Sequence, residues 1–528
     1  MTLLRFWLAV AVIACALFLG STPLLDADEG RNGEVGREMA ATNDYVMPRY
    51  NGLPYLDKPI VYFAATAAVM ELLGPTELAA RLPAYLFTIA TAAVLFWFAR
   101  RLWGEEAACV TGIVFLTIPM TVAFARTVIF DSALTFFIVV ALVAYWFAIE
   151  EQNKRWSIVA WAAMGLAMIT KGPVTFLLVL GVAVPFAWRR KALRVLFPII
   201  GLIAFAAIVA PWLWGVTQVV PEFLHYVLVT ETAARMATDE LKRTGPPWYF
   251  VPYMLGGALP WSIVLLGSAK QLRKRGDATI YLLLWLLIPL VFFSFSQSKR
   301  PQYVVPLMPP VALLIAQIWR EARTRVAASV LLLLGAIFLA APLLMPRIKM
   351  QAEVRATAGG TALALGIAFT LGALVALFSK RRELIFVALS LPVIVLPTAA
   401  TPLLQGLSER RSAHEFVAEL KPHLTPQTEV IGVEAYTGSM QFYLGRPITL
   451  LTEDASETTS NYLMRRYQRY VRDPRSPIKP LSQLGTSLAA RHPRVYVVRA
   501  KDSHWRRLLE SHGWREVAGG GHHVAYAR

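Results

Sequence analysis

The chain has 528 residues, of which 56% are hydrophobic and 16% charged, with a formal net charge of +18. A mean hydropathy of +0.51 excludes an ordinary soluble domain and points to an α-helical polytopic membrane protein. The basic excess sits in short loops between apolar runs, so it reads as a topology determinant and implies no nucleic acid.

Residues 1–20 carry one early arginine, Arg5, and then an apolar run of about span length. A signal peptide would have a shorter apolar core and a small-residue cleavage site, so an uncleaved first span is expected. The polar stretch Asp26–Pro59 follows, dense in ionisable groups between two apolar segments. Charge at this density must face water or a partner, because burial in lipid costs several kcal/mol per group. It is either a solvated connecting loop or the mouth of an active site. The apolar segment Ile60–Leu73 is short and is expected to be an interfacial or re-entrant helix.

Spans are expected at roughly 3–21, 81–99, 107–124, 132–149, 157–170, 173–188, 195–216, 251–269, 278–295, 303–319, 327–345, 361–378 and 385–402, about 13 transmembrane helices in all. Basic groups such as Arg100-Arg101, Lys154-Arg155, Arg189-Arg190-Lys191, Arg273-Lys274-Arg275 and Lys380-Arg381-Arg382 fall in every second loop. The positive-inside rule makes those loops and the N-terminus cytoplasmic. The stretch Asp26–Pro59, the loop near Arg126–Asp131, Lys171, the segment Pro221–Tyr249, the loop Gln297–Tyr303 and the C-terminal tail then share the opposite face.

From about Ser408 the long apolar runs stop. Strands are expected near Glu429–Glu434, Ile448–Leu451 and Val495–Val498, and helices near Ser412–Leu420, Thr458–Tyr470 and Ser503–Glu510. This alternation predicts a small extracytoplasmic α/β domain over 406–528, with 1–405, including an outer loop 22–60, as the transmembrane domain. His522-His523 reads as a polar tail, since adjacent histidines on a strand point in opposite directions. The two cysteines, Cys15 and Cys109, lie in apolar runs and imply no disulfide framework.

The outer face gathers the acids Asp28, Glu29, Asp57, Asp131 and Glu231 and the bases Arg31, Lys58, Arg126, Lys171, Arg235, Lys299 and Arg300. Singly, such residues are end-caps or snorkelling anchors. Together they describe a cavity with carboxylates for base chemistry and cations for phosphate.

The motifs Asp28-Glu29-Gly30-Arg31, Arg37-Glu38-Met39, Asn51-Gly52-Leu53-Pro54-Tyr55, Asp57-Lys58-Pro59, Thr170-Lys171-Gly172, Gly245-Pro246-Pro247-Trp248-Tyr249 and Ser298-Lys299-Arg300-Pro301-Gln302-Tyr303 resemble those of the aminoarabinose (lipid A) transferase-like glycosyltransferases, in the GT-C, protein O-mannosyltransferase-like superfamily. The resemblance covers roughly residues 1–320. Asp57 stands where relatives usually have Glu, and Gly30 and Asn32-Gly33 where they often have Ala and Tyr-Ala. Asp26 offers a second match for the loop aspartate, but Glu29 and Arg31 follow Asp28 in step.

The resemblance implies transfer of a sugar, such as 4-amino-4-deoxy-L-arabinose, from a polyprenyl-phosphate carrier to an outer acceptor such as lipid A, another glycan or a protein. Asp28 is implied as general base or acceptor-positioning group, with Asp131 second and Glu29 holding Arg31. Lys58, Arg126, Lys171, Arg235, Lys299 and Arg300 would carry the donor phosphate, and Arg31, Asp57 and Tyr303 would support them. The expected partners are the lipid-linked donor, a lipid or glycan acceptor and membrane lipids. These motifs identify no cofactor with certainty and leave the metal requirement open, with Asp28 and Glu29 as the place for a divalent metal. The competing class is a lipid-linked sugar flippase, which lacks support because the charges lie at one face and no repeated halves with broken helices are seen.

Overall fold

The computed structural model describes residues 1–226, 245–272, 276–347, 352–489 and 492–528. It divides into two units, one of residues 1–19 and 81–403, the other of residues 20–80 and 404–528.

The first unit is helical. Among the described residues eight helices are long and apolar enough to cross a membrane, or up to ten when each of two bent pairs counts as one span. This bears out a polytopic helical fold, while the expected 13 is not reached. The segment 3–21 forms only Thr2–Ala16, and 173–188 forms Val174–Arg189. At 1.5 Å per residue these are short of a hydrocarbon core of about 30 Å. The segments 107–124 and 251–269 are bent by 66° and 102°. Pro119 opens the second half of the first pair and holds Ile118 extended, and Pro260 precedes the second half of the other.

Asp131–Glu150 is buried along nearly its whole length. Its composition is apolar on every side, as a helix surrounded by other helices requires. Its Trp146 lies 5.5 Å from the Phe186 ring and 5.3 Å from Tyr281. The Tyr281 hydroxyl donates to the Leu142 carbonyl at 2.7 Å, which satisfies a polar group in an apolar core. The basic loop Arg273–Arg275 lies outside the described residues.

The second unit joins segments almost four hundred residues apart. Much of the polar stretch is a helix, Asp28–Thr42. Gly30, Gly33 and Gly36 line its packed face. A Cβ on Gly30 would lie 2.4 Å from the Ser439 nitrogen, and one on Gly36 would lie 2.6 Å from Thr66 Cγ2. Gly33 is equally closed by Leu24. The glycines that depart from the family pattern at Gly30 and Gly33 therefore let this helix approach the segment Gly438–Leu444 and the residues before it. Beyond the helix, β1 (Arg49–Tyr50) and β2 (Leu53–Pro54) form a hairpin. Its turn residues Asn51 and Gly52 have φ of 54° and 73°, the left-handed pair that an Asn-Gly hairpin turn requires. The apolar segment after it is a helix, Val61–Leu73.

The C-terminal segment builds a six-stranded sheet from β3 (Glu429–Val433), β4 (Thr449–Thr452), β5 (Ile478–Pro480), β6 (Arg494–Arg499), β7 (Arg515–Gly520) and β8 (His523–Ala527). The order is β5-β4-β3-β6-β8-β7. Strands β3 to β6 are parallel, and β8 and β7 add antiparallel. Ile431, Leu451, Tyr496, Trp514 and Tyr526 fill one face. Three strands were expected, and β5, β7 and β8 are additional. His523 is buried in β8 and packs on Phe416, so the expected polar tail is corrected here. Its imidazole is held down to about 4, by burial first and then by the neighbouring His522 and Arg499. The expected helix Thr458–Tyr470 is two short helices, Asn461–Arg465 and Tyr467–Arg472.

The grouping of 20–80 with 404–528 differs from the expected boundary, which put the outer loop with the transmembrane domain. The bonds behind it are specific. The Asn51 amide donates to the Ile448 carbonyl at 2.8 Å and accepts from the Ile448 nitrogen at 2.9 Å, completing the backbone pairing just ahead of β4.

Candidate active site

Most acids of the polar stretch are committed to backbone groups. Asp57 accepts from the Asn461 and Tyr462 nitrogens at 3.1 and 2.8 Å, and so caps the first turn of Asn461–Arg465. Asp26 accepts from the Ser439 nitrogen at 3.0 Å and from its hydroxyl. Burial pushes the Asp26 carboxyl up, opposed by those Ser439 bonds. Glu38 accepts from the Gly52 nitrogen at 3.0 Å and from Gln441 Nε2 at 2.8 Å. Glu29 accepts from the Leu25 nitrogen at 3.1 Å. Glu34, fully buried, takes a two-pronged contact from Arg37.

Asp28 differs from these. Its side chain is 42% exposed, at the first turn of Asp28–Thr42, where the helix dipole favours an anion. It pairs with Arg31 at 2.5 Å, and Arg31 also donates to the Thr459 carbonyl and hydroxyl at 2.8 and 2.7 Å. Glu29 was expected to hold Arg31, and Asp28 pairs with it. The engagement of Asp26 with Ser439 and the exposure of Asp28 favour Asp28 of the two aspartates the motif allowed. Lys58 is half-buried, with Nζ donating to the Asp57 carbonyl at 2.6 Å.

In the helical unit Asp131, 1% exposed at the start of Asp131–Glu150, forms an ion pair with Lys171. Lys171 ends the helix Lys154–Lys171, where Gly172 at φ 91° turns the chain away. The candidate base and the candidate phosphate ligand therefore meet as a buried pair. Lys171 Nζ also lies 5.2 Å above the Tyr303 ring centroid. Tyr303 stacks on Phe250 at 6.2 Å, and Lys299 Nζ lies 5.8 Å over that same Phe250 ring. Lys299 donates to the Ser294 and Ser296 carbonyls at 2.7 and 2.8 Å, at the end of Asp277–Phe295. Burial pushes its ammonium down. Arg300 opens the turn Pro301–Leu307 that carries Tyr303.

Arg126 donates to the Cys15 and Leu17 carbonyls at 2.9 and 2.6 Å, closing the end of Thr2–Ala16. Arg235, with Glu231, lies outside the described residues. Sequence reasoning did not assign Phe250, the ring shared by Tyr303 and Lys299, which directly follows the motif Gly245–Tyr249. It also left Arg81 unassigned. Arg81 is 3% exposed and donates to the Leu19 carbonyl at 3.2 Å.

Among the described residues no three His, Cys, Asp or Glu side chains gather as a metal would need. Asp28 is turned to Arg31 and Glu29 to a backbone nitrogen, so these two do not fit a metal-binding pair.

Residues 57–214 match the dolichyl-phosphate-mannose-protein mannosyltransferase family. The chain is 30% identical over 303 residues to an undecaprenyl phosphate-alpha-4-amino-4-deoxy-L-arabinose arabinosyl transferase of Erwinia tasmaniensis, covering 56% of this chain and 55% of that one. It is 31% identical over 324 residues to such a transferase of Pseudomonas fluorescens, covering 59% of each. The chain thus spans little more than half the length of these curated relatives. The crystal structure of ArnT from Cupriavidus metallidurans bound to undecaprenyl phosphate superposes with a TM-score of 0.86 at 26% identity, over 99% of this chain and 97% of that one. The chain is thus similar to ArnT along nearly its whole length, and to the curated arabinosyl transferases over little more than half of theirs.

Proposed function

We propose that the protein transfers a sugar from a polyprenyl-phosphate carrier to an acceptor on the outer face of the bacterial cytoplasmic membrane. The observation that carries this reading is the likeness, along nearly the whole chain, to a transferase crystallised with undecaprenyl phosphate. The bond between the anomeric carbon and the phosphate oxygen breaks, and its electron pair leaves with the phosphate. A bond from the acceptor oxygen to that carbon forms.

In the loop unit, Asp28 is the residue to take the proton of a hydroxyl acceptor. It is the acid of the stretch that combines exposure with a helix N-terminus. General-base help of this kind is worth roughly 10²–10⁴ in rate. A phosphate acceptor is already ionised and needs no base, and Asp28 then serves to hold the sugar. Lys58 supplies a compact cation at the end of the same stretch.

In the helical unit, Lys299 and Arg300 are the cations assigned to developing phosphate charge, with Lys171 held against Tyr303 by Asp131. Asp131 is thus a positioning residue for Lys171. The test is purified protein with a polyprenyl-phosphate-linked aminoarabinose and lipid A. Release of polyprenyl phosphate matched by glycosylated acceptor supports transfer. Movement of intact donor across a bilayer without bond cleavage would replace it with a flippase.

A further inference from the structure

The C-terminal sheet has a feature that the transfer chemistry does not use. From β3 the chain runs outward to β4 and β5, then returns to pair β6 on the other side of β3. In open sheets of this kind, ligands bind beyond the carboxyl ends of the strands where the order reverses. That position holds a cavity of about 460 Å³, within the usual range for a small-molecule site. Its walls come from the segment just after β3, from Glu457 after β4 and from Arg499 and Lys501 at the end of β6.

The cavity is cationic. Among the described residues that line it, Arg410, Arg411, Arg499 and Lys501 stand against two acids, Asp26 and Glu457. Both acids are engaged. Asp26 accepts from Ser439, and Glu457 accepts from Thr452 Oγ1 at 2.8 Å with Arg499 at 3.7 Å. Arg410, Arg411 and Lys501 make no ion pair among the described residues. A group of cations in a concave site at a sheet reversal favours an anion, and a guanidinium beside an ammonium suits a phosphate.

We propose that this cavity, whose wall includes Thr459 beside Arg31, is a binding site for a phosphomonoester the size of a monosaccharide phosphate, with Arg499 and Lys501 as its anion ligands. The phosphate belongs either to a soluble sugar phosphate or to a lipid headgroup.

The test uses purified full-length protein in a neutral detergent, titrated calorimetrically with glucose 1-phosphate. Saturable binding that weakens with added salt is expected. Lys501→Glu, at an exposed side chain, should weaken it about tenfold or more, on the scale of one charge-assisted hydrogen bond. Arg499→Gln should act in the same direction, and Lys58→Ala should leave this binding unchanged. Repeating the titration in phosphatidylcholine nanodiscs with and without phosphatidic acid separates the two sources. Competition by phosphatidic acid assigns the site to a headgroup, and no competition assigns it to a soluble phosphate. Absence of binding, or binding lost in Lys58→Ala and kept in Lys501→Glu, overturns the proposal.

Discussion

The stretch 26–59 and the cluster around Asp131 both concentrate charge, and they neutralise it in different ways. In the stretch, carboxylates accept from backbone nitrogens: Asp26 from Ser439, Asp57 from Asn461 and Tyr462, Glu38 from Gly52, Glu29 from Leu25. In the cluster, a buried carboxylate meets a half-buried ammonium that also lies 5.2 Å from an aromatic ring centroid. The first arrangement organises loops and leaves Asp28, 42% exposed, paired with Arg31. The second holds one cation in a set place. Density of charge alone therefore does not mark the chemistry, and the partner of each group does.

The largest effect should come from breaking the cluster. Lys171→Met leaves Asp131 buried and unpaired, a loss of about 3–5 kcal/mol. Thermal unfolding in detergent would show it, and Asp131→Asn combined with Lys171→Met should recover much of the loss. If the single and double variants unfold alike, the pair is not the reason Asp131 is tolerated.

Lys58→Ala should act on turnover more than on folding. Losing one charge-assisted contact to the leaving phosphate costs about 2–4 kcal/mol in the transition state. Steady-state transfer rates compared with melting temperatures decide this, and a normal rate in folded protein removes Lys58 from the site.

A third effect depends on pH. His523 titrates near 4 in the fold, below its ordinary 6.5, because burial, His522 and Arg499 disfavour its charge. A depressed folded value means that the unfolded chain binds the proton first. Stability is therefore full above pH 6.5 and is lost as pH falls towards 4, by about 3 kcal/mol in all. His523→Leu should flatten unfolding profiles measured across that window. An equally steep profile in the variant would assign the slope to other groups.

The smallest effect belongs to the stretch itself. Asp57→Ala removes a helix cap and should cost about 1 kcal/mol of stability. A melting shift with transfer retained would mark Asp57 as structural, and a large rate loss without a melting shift would move it into the site.

Much of the helical unit was legible because a bilayer demands long uninterrupted apolar runs, and these stand out in composition. The bends at Pro119 and Pro260 were not, since a proline inside an apolar run allows either a kinked helix or a break. The candidate residues were legible as a set of motifs. Their pairings were not, because Asp131 with Lys171, and Asp57 with Asn461, join residues distant in sequence. The same distance hid the grouping of 20–80 with the C-terminal sheet, which rests on bonds such as Asn51 to Ile448. Strand β7 escaped because Gly519-Gly520 reads as a turn, and β5 because it ends in Pro480.

The most direct test of this account is the transfer rate of Asp28→Asn protein with a hydroxyl-bearing acceptor, measured beside its melting temperature. The substitution keeps size and removes basicity. The account predicts a rate lower by roughly 10²–10⁴ with the fold and donor affinity nearly unchanged. An unchanged rate together with a lowered melting temperature would contradict it, because Asp28 would then serve the fold as Asp26 and Asp57 do.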